Sequence, residues 1–340
     1  MFRSAVLRNA KSWHRSDNLY LDWITKRERL IGKSVMTSYY LQEQLELTAK
    51  EDPNLACIKT KDRVYTYAEI DEWSNQRARL FDSLGVGRND HVGILSKNSV
   101  SYMVSILAAI KLQAAGALLN KNLRGDALKY AIESGDIKVL HIDDADSSSE
   151  AILDLNLSIP VLSEHNQLAN GHRQLAEETQ FSVDTLSIGK RLPTDKFALI
   201  YTSGTTGYPK PAVYSYGANL WASSLGLMLN WDKTSTLFTG CPMFHTVGSM
   251  MTGTGALWNG SSFAFQENFS ASKFMDDANS FDTTTFSYIG EMMRYVSKTQ
   301  VKNGENNNSI KSAFGPGLRP DIWRTLLERF GPIHFAELYG

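Results

Sequence analysis

Residues 196–210 read Lys196-Phe197-Ala198-Leu199-Ile200-Tyr201-Thr202-Ser203-Gly204-Thr205-Thr206-Gly207-Tyr208-Pro209-Lys210. The stretch opens as an apolar, β-like run. It leads directly into four hydroxyl residues (Thr202, Ser203, Thr205, Thr206), two glycines (Gly204, Gly207) and Lys210, all within nine positions. Glycines let the backbone turn so that successive N–H groups converge on an anion. The hydroxyls add donors, and Lys210 supplies a point positive charge. These are the parts a polyphosphate needs. The spacing is neither that of a Walker A loop nor that of a dinucleotide-binding fingerprint. A flexible Ser/Thr/Gly linker explains the stretch less well, because such linkers rarely follow an apolar strand and end in Pro-Lys.

Upstream of this loop, strands and helices alternate. Thr66 stands three residues before Glu69, a capping box that opens a helix running to about Leu84, where Gly85 and Gly87 end it. His91–Leu95 reads as a strand, Ser99–Leu112 as a helix and Ala117–Leu119 as a strand. A helix over Gly125–Ser134 and strands at Val139–Ile142 and Pro160–Leu162 follow. Alternation of this kind predicts βαβ units and a mostly parallel sheet, so the fold class is α/β. Residues 143–150 and 303–309 read as polar loops, and residues 163–195 as a weakly patterned connector between two lobes. No internal repeat is evident.

The 340 residues carry 35 Lys+Arg against 36 Asp+Glu, which gives no reason to expect a nucleic-acid partner. Apolar residues make up 42%, enough to exclude wholesale disorder. The two cysteines, Cys57 and Cys241, form no CxxC, so neither a disulfide framework nor a cysteine zinc site is expected, and a reducing compartment is the default. No metal-ligating set stands out. The near-zero charge hides an asymmetry. Residues 1–33 hold eight basic residues and three acidic ones, a balance of +5, and the rest of the chain is at −6. Phe2, Val6, Ala10 and Trp13 fall at helical spacing among the basic residues. Such a helix would lie on an anionic membrane surface, act as an import signal, or pack on the domain by its apolar stripe. No stretch reaches the ~18 apolar residues of a membrane span.

The loop at 201–210 resembles the signature phosphate loop of the adenylate-forming enzymes, the superfamily of acyl-CoA synthetases, luciferases and peptide-synthetase adenylation domains. Pro242-Met243-Phe244-His245 resembles their next motif. Ala313-Phe314-Gly315-Pro316-Gly317-Leu318-Arg319-Pro320 resembles the adenine-binding loop, and Glu337-Leu338-Tyr339-Gly340 the opening of a Tyr-Gly-x-Thr-Glu motif. Within the superfamily, residues 117–125, 288–295 and 317–323 are similar to fatty acid transport proteins, which are also very-long-chain acyl-CoA synthetases.

The resemblance covers about residues 55–340. It implies the large N-terminal domain of an adenylate-forming enzyme, with mostly parallel sheets flanked by helices. Residues 1–54 would be a basic N-terminal segment, 55–190 a first α/β lobe, and 191–340 a second lobe carrying the phosphate loop. The implied reaction has two steps. A fatty carboxylate attacks the α-phosphorus of ATP and releases pyrophosphate; coenzyme A thiolate then displaces AMP. Two anions must meet, so preorganised donors and Mg2+ matter more than a protein nucleophile.

By resemblance, Thr202, Ser203, Gly204, Thr205, Thr206, Gly207 and Lys210 would hold the β- and γ-phosphates, with Lys210 and His245 in catalytic roles. His245 would sit between carboxylate and nucleotide. Gly315, Pro316 and Gly317 would line the adenine, and Tyr339 would stack near it. Gly248, Gly253, Gly255 and Gly260 read equally as a wall of the acyl tunnel or as close packing. Met292 and Met293 read as tunnel or core.

The partner expected is a long- or very-long-chain fatty acid, with activation coupled to uptake. The expected location is intracellular, peripheral to the endoplasmic reticulum, peroxisome or plasma membrane. The family's Thr and Glu after Tyr-Gly, its ribose-gripping Asp and its small C-terminal domain are not in this sequence. The expectation is therefore a truncated chain with little ligase activity by itself. Two other readings stand beside it: a ligase for a different carboxylic acid, and a non-catalytic lipid- or nucleotide-binding product.

Overall fold

The computed structural model describes residues 40–143, 155–164, 173–186, 191–203 and 207–338, together with Ile152 and Gly189. The basic segment 1–33, the body of the polar loop at 143–150, Gly204, Thr205, Thr206 and Tyr339 lie outside the described residues.

Among the described residues, two seven-stranded sheets organise the chain. In chain order the strands are β1 (Ala56–Lys59), β2 (Val64–Thr66), β3 (His91–Leu95), β4 (Ala115–Leu118), β5 (Ile137–Ile142), β6 (Val161–Ser163) and β7 (Arg173–Gln174). They continue with β8 (Lys196–Ser203), β9 (Pro209–Ser215), β10 (Thr236–Thr239), β11 (Ser262–Phe265), β12 (Thr285–Ser287), β13 (Ser312–Gly315) and β14 (His334–Glu337). One sheet runs β7-β6-β5-β3-β4-β8-β9 and the other β14-β13-β12-β10-β11-β1-β2. Each is parallel except for one antiparallel edge strand, β9 in the first and β2 in the second. Pro209 and Pro211 stand in β9, where an edge position tolerates the lost N–H donors and Lys210 guards the open edge.

The sheets interleave in sequence. Strands β1 and β2 join the strands of 236–337, while β8 and β9 join the strands of 91–174. The expected division at residue 190 therefore does not follow the sheets, and β8, which leads into the phosphate-loop candidate, belongs to the first one. Helix α1 (Leu41–Glu51) also differs from expectation. It falls inside the segment read as a basic N-terminal arm, yet Leu41 and Leu45 are buried in the main core.

The capping box forms as the sequence dictates. Thr66 Oγ1 accepts from the Glu69 N–H at 3.2 Å, and Glu69 accepts from the Thr66 N–H at 2.7 Å, opening α2 (Tyr67–Ser83). Gly85 follows with φ +82°, a conformation only glycine adopts without cost. Helix α3 (Val100–Lys111) is buried along its whole length. It lies against the first sheet, and Met103 reaches across to Gly253 in the second half. Each such buried aliphatic side chain contributes about 1.5–3 kcal/mol.

Helix α4 (Gly125–Ser134) matches the sequence reading, whereas β4 begins two residues before the expected strand and β6 one residue after it. The connector at 163–195 contains β7 and a 3-10 helix, Leu175–Gln180. That helix holds Glu178, which makes a two-point salt bridge with buried Arg77 of α2 at 2.7 and 3.0 Å. Cys57 and Cys241 are both buried and unbonded to one another. Among the described residues, no helix is long and apolar enough to cross a membrane.

Candidate functional site

In the second sheet the chain runs from β10 to β11 on one side and then to β12 on the other. Such a reversal opens a crevice beyond the carboxyl ends of the strands, the standard place for a ligand in an open α/β sheet. The loop leaving β10 is Gly240-Cys241-Pro242-Met243-Phe244-His245. The His245 N–H donates to the Pro242 carbonyl at 3.1 Å. His245 then caps a π-helical segment, Thr246–Gly253, an uncommon conformation that occurs mostly at functional sites. Gly248 is required there, since a Cβ would stand 2.4 Å from the Pro242 carbonyl oxygen. The His245 ring is open on one side and packs at a 44° tilt against Phe244, with centroids 4.5 Å apart. Protein packed around it withholds water and holds its pKa below the ordinary value, so the imidazole is neutral at pH 7. Burial pushes the Cys241 thiol up to about 12, against hydrogen bonds from Thr239 and Ser287, which leaves it protonated and inert.

Asn98 escaped the sequence reading. It follows β3, the strand at which the first sheet reverses in the same way, and it is 5% exposed. Its amide donates to the carbonyls of Cys241 at 3.0 Å and Gln266 at 2.9 Å, and its side-chain oxygen accepts from the Met243 N–H at 2.7 Å. One buried amide thus joins the reversal points of both sheets and fixes the Pro242–His245 turn. A single Asn before a helix carries no sequence signal beyond a cap, and the Ser99 side chain takes that role by accepting from the Tyr102 N–H.

The Gly315-Pro316-Gly317 turn ends β13, two strands from β10 in the same sheet. A Cβ on Gly315 would meet the Tyr288 carbonyl at 1.9 Å, and one on Gly290 would meet the Gly317 carbonyl at 1.7 Å. The turn therefore lies flush against the loop after β12, with the Gly290 N–H donating to the Pro316 carbonyl at 2.9 Å. Glu337, at the end of β14, closes over it. One carboxylate oxygen accepts from the N–H groups of Gly317 and Leu318, and the other accepts from the Tyr288 hydroxyl at 2.8 Å. Tyr288 is accordingly held far above its usual pKa, by burial first and by Glu337 next. Glu337 was quoted in the sequence only as part of the terminal motif, and the structure shows it ordering the adenine-loop candidate.

The phosphate-loop candidate is the tip of the β8–β9 hairpin. Thr202 pairs with Lys210, and Ser203 with Pro209. Lys210 is exposed, and Gly207 takes φ +89° with open space where a Cβ would project. Gly207 and Lys210 thus lie outside the core. The hairpin tip stands on the first sheet, and the His245 and Gly315–Gly317 turns stand on the second. Asn98 bridges the two edges from a buried position, and Lys97–Glu267 and Lys121–Asn268 bridge them nearer the surface.

The glycines after His245 resolve toward packing. The space facing Gly253 holds Met103 at 3.0 Å, and that facing Gly255 holds Trp231 at 3.3 Å. Gly260 serves a turn at φ +70°. Met250 and Met293 lie in the core, while Met292 is half-buried with its sulfur 3.4 Å from Cys241 Sγ.

The architecture is that of the large N-terminal domain of adenylate-forming ligases. It superposes on an anthranilate CoA ligase, AuaEII, in complex with anthranoyl-AMP, with TM-score 0.78 and 19% identity over 87% of this chain and 58% of that one. It also superposes on the inhibitor-bound N-terminal domain of FACL13 from Mycobacterium tuberculosis, with TM-score 0.75 and 19% identity over 88% of this chain and 75% of that one. The chain belongs to the AMP-binding enzyme family, which it matches over residues 45–340. It is 32% identical to long-chain fatty acid transport protein 2 of Rattus norvegicus over 86% of this chain and 48% of that protein. It is 30% identical to the medium/long-chain-fatty-acid–CoA ligase FadD6 of Mycobacterium tuberculosis over 83% of this chain and 47% of that protein. The chain spans about half the length of the curated relatives it matches.

Proposed function

We propose that this chain is the nucleotide- and acyl-binding part of a ligase that converts long- or very-long-chain fatty acids to acyl-CoA through an acyl-adenylate. The observation that carries the reading is the pairing, through Asn98, of the edge bearing the phosphate loop's sheet with the turn that presents a neutral His245. The names of the relatives support the acyl class. In this reading Lys210 and the amides of 202–207 bind the β- and γ-phosphates, so that charge leaving with pyrophosphate is met by fixed donors. Neutral His245 holds the incoming carboxylate by a hydrogen bond without pairing with it as an ion, which would blunt its attack on phosphorus. The small Gly315-Pro316-Gly317 turn admits a flat base. Mg2+ arrives with ATP as part of the substrate, and coenzyme A is the second-step thiol. Coupling to uptake would place the enzyme at a membrane, with residues 1–33 on an anionic surface.

Calorimetric titration of this chain tests the reading with MgATP and with non-hydrolysable acyl-adenylate analogues. Long-chain acyl analogues should bind more tightly than short-chain and aryl ones, and Lys210→Ala should weaken MgATP. Tighter binding of an aryl analogue would transfer the assignment to a different acid. Absence of both nucleotide and analogue binding would overturn it. For the membrane contact, deletion of residues 1–33 should abolish flotation with anionic liposomes, and unchanged flotation removes the arm as the anchor.

A further inference from the structure

The β8–β9 hairpin is tethered unevenly, because β9 is an edge strand whose only neighbour in the sheet is β8. Helix α4 reaches the hairpin from the other side at two points. On the incoming strand the Tyr201 hydroxyl donates to the Ala131 carbonyl at 2.8 Å. Gly135, just past the helix, makes room for that contact, since a Cβ there would stand 2.1 Å from the Tyr201 oxygen. On the outgoing side the Tyr208 ring lies stacked on Tyr130, with centroids 5.1 Å apart and planes 27° apart. Tyr208 directly follows Gly207, which takes φ +89°. Both stacked rings are open to water, Tyr130 at 37% and Tyr208 at 41% exposure. The pair therefore adds little to the core, and what it fixes is local geometry.

We infer that α4 is a clamp on the phosphate loop and that Tyr130 is a positioning residue for it; the binding consequence rests on the nucleotide role proposed above. One contact holds the entry of the loop and the other its exit. With both ends held, the cost of ordering the amides between them on a polyphosphate is lower. A clamp of this kind works through the ring face, so the Tyr130 hydroxyl is dispensable.

The test uses the whole chain with Tyr130→Ala, Tyr130→Phe and Gly135→Ala, and it has two independent arms. Hydrogen–deuterium exchange without ligand should speed up over residues 202–208 in Tyr130→Ala and Gly135→Ala, with Tyr130→Phe like the wild type. The Kd for MgATP should rise about two- to tenfold in Tyr130→Ala, the range an exposed aromatic stack supplies, with the melting temperature unchanged. Wild-type loop exchange in Tyr130→Ala would overturn the clamp, as would a general loss of stability that accounts for the weaker binding. Faster loop exchange in Tyr130→Ala from a chain that fails to bind MgATP would sustain the clamp and reject the nucleotide reading.

Discussion

Asn98 is buried and makes three hydrogen bonds, and every one serves the turn that ends at His245 or the loop beside it. Truncation to Ala leaves two carbonyls and one N–H buried and unpaired. Asn98→Ala should therefore destabilise the protein by about 2–4 kcal/mol in urea unfolding. Asn98→Asp keeps the acceptor for Met243 but turns an anion toward two carbonyls, and should be no better. Gly248 offers a second residue-scale test. Gly248→Ala drives a methyl to within 2.4 Å of the Pro242 oxygen, backbone that cannot swing away. It should cost about 1–3 kcal/mol and weaken MgATP or acyl-adenylate binding, whereas Gly260→Asn, at a left-handed turn, should be milder. A wild-type unfolding curve for Gly248→Ala would show that the turn has another conformation open to it.

At the scale of elements, the local signals were strong wherever a helix end carries its own chemistry. The Thr66/Glu69 box and the Gly85 stop were readable because a cap and a left-handed glycine act within four residues. Thr66→Ala should lower stability by about 1 kcal/mol, read as a reduced melting temperature with ligand binding unchanged. Strands read less well. β7 has two residues and β6 three, and both exist by pairing with a neighbour already in place. The π-helical segment after His245 was also invisible, since its sequence of small and apolar residues is equally compatible with an α-helix or packed loop.

For the whole molecule, the two sheets are held by a core that includes buried charge. Arg77 is 1% exposed and binds Glu178, Ser101 and Ser105; Ser105 contacts His141 at 2.9 Å, and His141 contacts Glu164 at 2.7 Å. The Ser105-His141-Glu164 line has the residue types of a hydrolase triad, but Ser105 is fully buried and already accepts from Arg77, so it is structural. Arg77→Met should cost about 3–5 kcal/mol by stranding Glu178, and Glu178→Gln in that background should recover part of it.

Burial opposes the charge on Glu164, yet His141, Ser101 and Arg77 outweigh it and hold its pKa down to about 2. A depressed carboxylate stabilises the fold above its unfolded value near 4.5 and loses that contribution as pH falls toward 2. His91, buried and facing Lys196, is held below its ordinary value of 6.5. The unfolded chain then binds the proton first, so stability declines as pH falls below about 6.5. Urea midpoints should fall in these two windows, and His91→Gln should flatten the upper one. A pH-independent midpoint between 8 and 5 would refute the His91 assignment.

The sequence by itself determined the α/β class, the helix ends and the candidate motifs for a phosphate loop and a nucleotide site, because each is written in residues a few positions apart. Only the tertiary structure decided which sheet each strand joins, that Leu41–Glu51 is core, that the glycines after His245 admit Met103 and Trp231, and that Asn98 joins the two edges. Those outcomes depend on contacts between residues distant in sequence, 143 positions for Asn98 and Cys241. A buried amide or a missing Cβ acquires its meaning from the group that arrives opposite it, and nothing in the neighbouring sequence names that group.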